Sequence, residues 1–275
     1  MVNKINFFKR IYFSICKIKE YENLSKEGVK KSIYYIMDLI VICALIYSSI
    51  LTFQMKKNAN GLQEYLEQNF PNLTYEDNIL ISENKERVVL DNKLVKANFG
   101  GQLIIDTTTN YETLISEYEN KEESTILLTS NKYVTINSKG TITEYDYKDI
   151  INAENEEQTT INKNYFVNLF SDISYTYYFC GYFVGSAIGT SIIVYLYNLL
   201  ITGFAFVFSK IKKLNVKFGE IYSMGLYAHT IPVFGYFIIN FLPATIGVYV
   251  QLLTFLIPIG YLVYAIYLNK WKVSQ

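Results

Sequence analysis

The apolar positions of this 275-residue chain are gathered into blocks rather than spread at regular helical or strand intervals. Between Asp172 and Lys210 lie 37 residues with no formal charge, and between Glu220 and Lys270 lie 49 more, where only His229 titrates near neutrality. About 20 apolar residues cross a ~30 Å hydrocarbon core, so uncharged runs of this length predict membrane spans. A shorter block, 33–53, follows Lys30 and Lys31. Its charged leader is long and no A-x-A cleavage pattern follows, so it reads as an uncleaved signal anchor.

The 173–209 block would make a helix of ~55 Å, longer than the membrane core requires. Read as a hairpin it would place Lys210–Lys217 outside, against the positive-inside rule, so one long tilted or kinked helix is preferred. The last block holds two spans, about 222–240 and 246–268, joined near Pro243. Pro232 and Pro258 fall inside them and predict kinks, with neighbours satisfying the freed carbonyls. Four spans result, with both termini on one side.

Residues 55–172 carry ordinary globular signals. A helix is predicted over 61–70, stopping before Pro71. Strands follow at 79–82, 87–90 and 103–106, then a helix over 111–119. Further strands are expected at 125–129, 132–137 and 141–147, the last two joined by Ser138-Lys139-Gly140, a hairpin signal. Residues 152–163 read as a polar, acidic connection, helical or flexible. Near the N-terminus, Ile5, Phe8, Tyr12 and Ile15 recur at helical spacing among Lys4, Lys9, Arg10 and Lys17. That pattern predicts a basic amphipathic helix on the inner leaflet.

Charge orients the arrangement. The formal net charge is zero, yet residues 1–32 carry eight Lys/Arg and three acids, and 55–172 carry 11 Lys/Arg and 20 Asp/Glu. The 209–219 stretch has Lys210, Lys212, Lys213 and Lys217 with no acid, and the tail adds Lys270 and Lys272. Basic groups stay in the cytoplasm, so these three regions go inside and 55–172 goes outside; Lys56 and Lys57 are outvoted. The expected fold is an all-α transmembrane bundle of about four helices with an inserted small α+β extracytoplasmic domain. Its parts are a cytoplasmic basic amphipathic segment (1–32), a first transmembrane helix (33–54), the extracytoplasmic domain (55–165) and transmembrane helices two to four (166–275), in a bacterial plasma membrane with both termini cytoplasmic.

Candidate chemistry is sparse. Gly181, Gly185 and Gly189 form a G-x-x-x-G-x-x-x-G run, extended by Ser186 and Thr190, which predicts close helix packing within the chain or a homodimer or partner seam. Asp38 and His229 are ionisable groups inside apolar spans, and such groups are functional candidates because their burial is costly. Counted from one membrane face they sit at similar depth, so they could pair. The preferred account has Asp38 reaching headgroups and His229 bonding a carbonyl. No H-E-x-x-H, G-x-S-x-G, P-loop or cysteine–histidine metal set occurs, and one histidine leaves little room for metal or triad chemistry. The acids Glu122, Glu123, Glu154, Glu156 and Glu157 read as solvated faces. Cys16, Cys43 and Cys180 give no disulfide framework: Cys16 reads as a cytoplasmic thiol and the other two as apolar packing. No catalytic residue, cofactor, metal or nucleic-acid partner is expected.

Several stretches carry a family resemblance: Phe7-Phe8-Lys9-Arg10-Ile11-Tyr12, then Val29-Lys30-Lys31-Ser32-Ile33-Tyr34-Tyr35-Ile36, then Phe218-Gly219-Glu220-Ile221-Tyr222 leading into Leu226-Tyr227-Ala228-His229-Thr230-Ile231-Pro232. With the external domain between spans one and two, the chain resembles the bacterial membrane proteins catalogued as domain of unknown function 1189. The resemblance implies a non-enzymatic multi-pass membrane protein; some members are labelled maltodextrin-utilisation proteins, and Yip-type proteins look related. It supplies no catalytic residues. The leading functional expectation is sensing or binding at the cell surface. The alternatives are an accessory subunit or scaffold of a membrane complex, linked to sugar uptake, and then a small transporter.

Overall fold

The computed structural model describes residues 5–151, 163–164 and 175–268. The chain divides into a helical unit, Met1–Thr52 with Thr176–Gln275, and a sheet unit, Phe53–Tyr175.

The helical unit opens with α1 (Phe7–Cys16), a 3-10 turn (Ile18–Glu20) and α2 (Tyr21–Lys26). Asn6 caps α1 by accepting from the Lys9 amide at 2.8 Å. Phe7 and Ile11 pack on the bundle core beside buried Ser14, as does Ile5, while Phe8 and Tyr12 of the Ile5–Phe8–Tyr12–Ile15 stripe are exposed. The small Ser14 side chain lets Tyr21 reach its carbonyl at 2.7 Å. An Arg10–Glu27 ion pair at 2.8 Å ties α1 to the end of α2.

Helix α3 runs unbroken from Val29 to Asn69, 41 residues. The span over 33–53 and the helix over 61–70 are therefore one element. The joining residues, Gln54-Met55-Lys56-Lys57-Asn58-Ala59-Asn60, contain no proline and several good helix formers, so nothing interrupts the backbone. Pro71 stops the helix, as read from the sequence. Next in the helical unit comes α7 (Tyr175–Ile211), a single helix of 37 residues. It ends in a Schellman-type turn, with Lys213 left-handed at φ 54 and the Leu214 amide reaching the Ser209 carbonyl at 2.9 Å. Then follow α8 (Phe218–Ala228), α9 (Thr230–Ile238), a 3-10 turn (Ile239–Phe241) and α10 (Ala244–Leu268). Three of these helices, α3, α7 and α10 over Ala244–Tyr267, are long and apolar enough to cross a membrane. The segment expected as one span over 222–240 is instead split at His229. Pro232 has no N–H for the Ala228 carbonyl, and its ring crowds that carbonyl, so one rung of the ladder is lost there, while the His229 amide still reaches the Gly225 carbonyl and the Val233 amide reaches the His229 carbonyl at 2.9 Å. Pro258, by contrast, lies within α10. Tyr197 donates to the Phe255 carbonyl at 2.6 Å, next to the Thr254 carbonyl that Pro258 leaves without its helical donor.

The sheet unit pairs β1 (Leu73–Glu76) with β2 (Ile79–Ser82) through Asp77 and Asn78, both at positive φ, a two-residue hairpin turn. The main sheet has the order β3 (Val88–Leu90), β4 (Gly101–Ile105), β5 (Ser124–Leu128), β6 (Lys132–Ile136), β7 (Ile142–Asp146). Every pairing is antiparallel except β4–β5, which is parallel and needs the crossover that α5 (Tyr111–Tyr118) supplies. Strand alternation sorts the side chains into two layers. Leu103, Ile105 and Leu128 face a core shared with Leu62, Leu66 and Val95, while Ile104, Leu127 and Val134 face Leu114 and Tyr118 of α5. Helix α4 (Lys93–Phe99) lies between β3 and β4, capped by Asn92 and ended by Gly100 at φ +74. A short α6 (Tyr147–Ile151) follows β7. The expected 152–163 connection, with Glu154, Glu156 and Glu157, lies outside the described residues apart from Lys163.

Candidate functional site

A group of the helical unit's buried polar side chains, Asn198, His229 and Thr230 among them, meets at the junction between α8 and α9. His229 is fully buried. Its Nδ1 lies 2.8 Å from the Gly225 carbonyl, one helical turn back, and a carbonyl can only accept, so Nδ1 carries the proton. The Nε2 atom is then a bare acceptor, and it has no partner. Thr230 returns its hydroxyl proton to the Tyr227 carbonyl at 2.7 Å and meets Tyr35 of α3 at 2.8 Å. The ring of Tyr197 on α7 stands edge-on to the His229 ring at 5.6 Å.

Asn198, one residue on from Tyr197, completes the group. It is fully buried, its Nδ2 donates to the Tyr222 carbonyl at 3.0 Å, and its Oδ1 has no partner. A side chain on Gly225 would overlap that Oδ1, so glycine is the residue that lets α7 and α8 approach there. Two unpartnered acceptors, Asn198 Oδ1 and His229 Nε2, therefore belong to side chains packed against the same residue. Such groups can take a proton or a hydrogen-bond donor; they form no nucleophile–base pair. Asn198 was missed by sequence reasoning aimed at ionisable groups. The available signal was a lone carboxamide within 37 uncharged residues.

Asp38 and His229 are not brought together. Asp38 is exposed on α3 and makes no hydrogen bond or ion pair among the described residues, whereas His229 bonds the Gly225 carbonyl. The pairing fails because Asp38 projects from the face opposite Leu39 and Ile40, which are the residues packed in the core. Among the described residues no neighbour lies within 4 Å of where a Cβ on Gly181, Gly185 or Gly189 would stand. Cys43 is buried; Cys16 and Cys180 are exposed. Glu122 and Glu123 are exposed, and Glu123 pairs with Lys96 at 2.7 Å on that surface.

Among its described residues the sheet unit has one buried carboxylate, Asp106, just after β4. It accepts from Arg87 Nε at 2.9 Å, from the amides of Thr108 and Thr109, and from both of their hydroxyls. Burial alone would raise its pKa, but the donors from Thr109, Arg87 and Thr108 outweigh that and hold the carboxyl well below the usual range. Arg87 also grips Glu117 at 2.6 Å, and these bonds raise its own pKa further. Every Asp106 oxygen is engaged, which makes this cluster a brace for the β4–α5 loop. Among the described residues no group of histidine, cysteine and acidic side chains is disposed to hold a metal ion.

These features define the class: a mostly helical protein with three helices able to cross a membrane and a small sheet region. The chain belongs to the family described as Protein of unknown function (DUF1189), matched over residues 8–266. No curated protein and no solved structure matches it.

Proposed function

We propose that the chain crosses a bacterial plasma membrane four times, with both termini cytoplasmic, and displays its sheet unit outside as a non-enzymatic module that binds or senses a surface ligand. The direction of the helices supports the topology. Pairings between α3 and the broken helix advance together, Tyr35 with Thr230 and Tyr47 with Phe237 and Phe241. Those between α7 and α10 also advance together, from Tyr197 with Phe255 to a groove shared by Phe208 and Tyr267. Helices α3 and α7 run oppositely, Met37 meeting Ser191 and Lys56 lying over Tyr175. Two helices that run the same way need a return crossing between them. The 21 residues 218–238 rise ~30 Å, enough to cross the core. Basic residues at 1–32 and 209–219 then share the cytoplasmic side.

One observation carries the binding role: the sheet unit has its own two-layered core and a saturated internal ion-pair cluster, yet β2 turns Ile79 and Ile81 to solvent. Apolar side chains kept outside a finished core are candidates for contact with something else. The test is capture by immobilised residues 58–165 of wall polymers, oligosaccharides or surface proteins, with Ile81→Lys reducing it. Capture of nothing in any arm removes the reading's support. Reporters after Asn60 and Asn155 should read external, and those after Lys213 and Gln275 cytoplasmic. An external signal at Lys213 defeats the four-crossing topology.

A second reading, an accessory subunit or homodimer joined through Gly181, Gly185 and Gly189, is favoured by the open space in front of all three. Gly185→Leu should abolish a cross-linkable complex while leaving insertion intact; a complex that survives argues against it.

A further inference from the structure

Outside the broken-helix group, the helical unit holds a groove of about 780 Å³ between α7 and α10. Buried Ile201, Leu262 and Ile266 form its floor, and exposed Phe204, Phe208 and Val263 stand along its walls. All of these are apolar. At the end reached by the C-termini of both helices the lining changes character, to Lys212 and Tyr267. The Lys212 ammonium lies 5.9 Å from the Phe208 ring centre, lines the groove, and makes no ion pair among the described residues. The loop beyond it, 209–219, contains four lysines and no acid.

We propose that this groove binds one anionic phospholipid, an acyl chain lying between α7 and α10 and the phosphate on Lys212. Two observations select that occupant. The trough is apolar along its length, from Ile201 to Lys212, which is ~16 Å of helix and suits an extended acyl chain. The single charged lining residue sits at one end, where a headgroup would be, and its sign calls for a phosphate. Basic pockets between membrane helices are a recurrent site for anionic headgroups. Only the immersion of α7 and α10 in a bilayer is required; the role of the sheet unit does not enter.

The test uses the full chain in dodecyl maltoside, with native mass spectrometry counting adducts of palmitoyl-oleoyl phosphatidylglycerol, the matching phosphatidylcholine, and inorganic phosphate. The expected result is one retained phosphatidylglycerol per chain, with phosphatidylcholine held more weakly and free phosphate not held. Lys212→Ala should weaken retention about five-fold, the effect of one basic residue at an anionic headgroup. Lys210→Ala, which removes the same charge outside the groove, should weaken it less. Val263→Trp fills the trough from an exposed wall position and should abolish retention. If that variant gives no folded monomer, Phe204→Ala, which widens the trough, should lower retention instead. Equal retention of both lipids, unchanged retention in Lys212→Ala, or a dimer that Val263→Trp dissolves would each overturn the lipid assignment.

Discussion

The two units treat buried polar groups in opposite ways. In the sheet unit Asp106 receives five donors, and Ser82 is its one buried side-chain polar atom without a partner among the described residues. In the helical unit Asn198, Thr202, Ser223, Tyr227 and His229 all keep such atoms, as do Ser14, Thr52, Tyr195 and Tyr236. Leaving a buried donor or acceptor unmade costs about 1–3 kcal/mol, so a closed unit is a self-sufficient one. Several of the helical unit's open groups, those of Asn198, Ser223, Tyr227 and His229, gather near the interruption at His229, and discontinuous helices are where membrane proteins build sites for ions and polar ligands. Stability is therefore finished in one region and left incomplete, at a specific place, in the other.

The largest test of this contrast removes the brace. Asp106→Ala in isolated residues 58–165 strands Arg87 and two threonines, and should cost about 3–5 kcal/mol, the loss seen when one partner of a buried pair is deleted. At about 4–8 °C per kcal/mol for a domain this size, thermal circular dichroism should record a fall of more than ~10 °C. A shift under a few degrees would mean that the cluster is ornamental and the domain is held by its apolar layers alone. The same carboxylate sets an acid limit. Its folded pKa is depressed, so its contribution is complete above the unfolded value of about 3.9 and is lost as pH falls through that value toward the folded one. Asp106→Asn should flatten the part of the acid-unfolding curve below about pH 5, read by urea melts at several pH values.

In the helical unit the effects are smaller. Gly225→Ala drives a methyl into Asn198 Oδ1 and should lower the melting midpoint of the full chain in detergent, by about 1–3 kcal/mol of overpacking. Asn198→Ala in the same chain should recover most of it, a coupling that a double-mutant cycle measures. Additive losses would show that the two helices do not meet there. His229→Leu discards a bare acceptor along with the bond to the Gly225 carbonyl, so thermal midpoint should move by no more than about 1 kcal/mol. A collapse of the fold in that variant would reveal a structural partner for Nε2 and remove His229 from the functional candidates.

Legibility in the sequence followed the same divide. The strand over 132–137 was readable because buried Val134 and Ile136 flank the polar Thr135; those over 79–82 and 141–147 were legible from their β-branched and aromatic residues, although β2 turns Ile79 and Ile81 outward and β7 has no buried side chain. The β1 strand and α4 went unread although their punctuation was present: Asp77-Asn78 for the hairpin, Asn92 and Gly100 for the helix ends. Both are shorter than the window in which periodicity becomes audible over noise. In the apolar blocks composition announced length and depth but not partners. Uniform hydrophobicity hides which side of a helix is inward. Pro232 signalled a disturbance, yet whether a proline bends or severs a helix depends on what surrounds it, and here α8 and α9 are packed on nearly every side. The glycine triplet was read as a seam, whereas Gly225 and Gly235, single glycines in no motif, stand at close approaches between helices, to Asn198 and to Thr254.

The insertion of the sheet unit between α3 and α7 also sets a timetable. Tyr35 on α3 bonds Thr230, 195 residues later in the chain. At about 5–20 residues per second of synthesis, α3 exists for ~10–40 s before that partner has been made. Its core side chains, among them Ile36 and Ile40, spend that time without the neighbours they finally pack against. The sheet unit's strand pairings all fall between Leu73 and Asp146, so its tertiary structure can be complete while the ribosome is still producing α7. Nascent chain therefore passes through a stage with a finished sheet and a solitary anchor, and whatever accompanies α3 in the membrane during those seconds must leave before α8 and α9 can take their places.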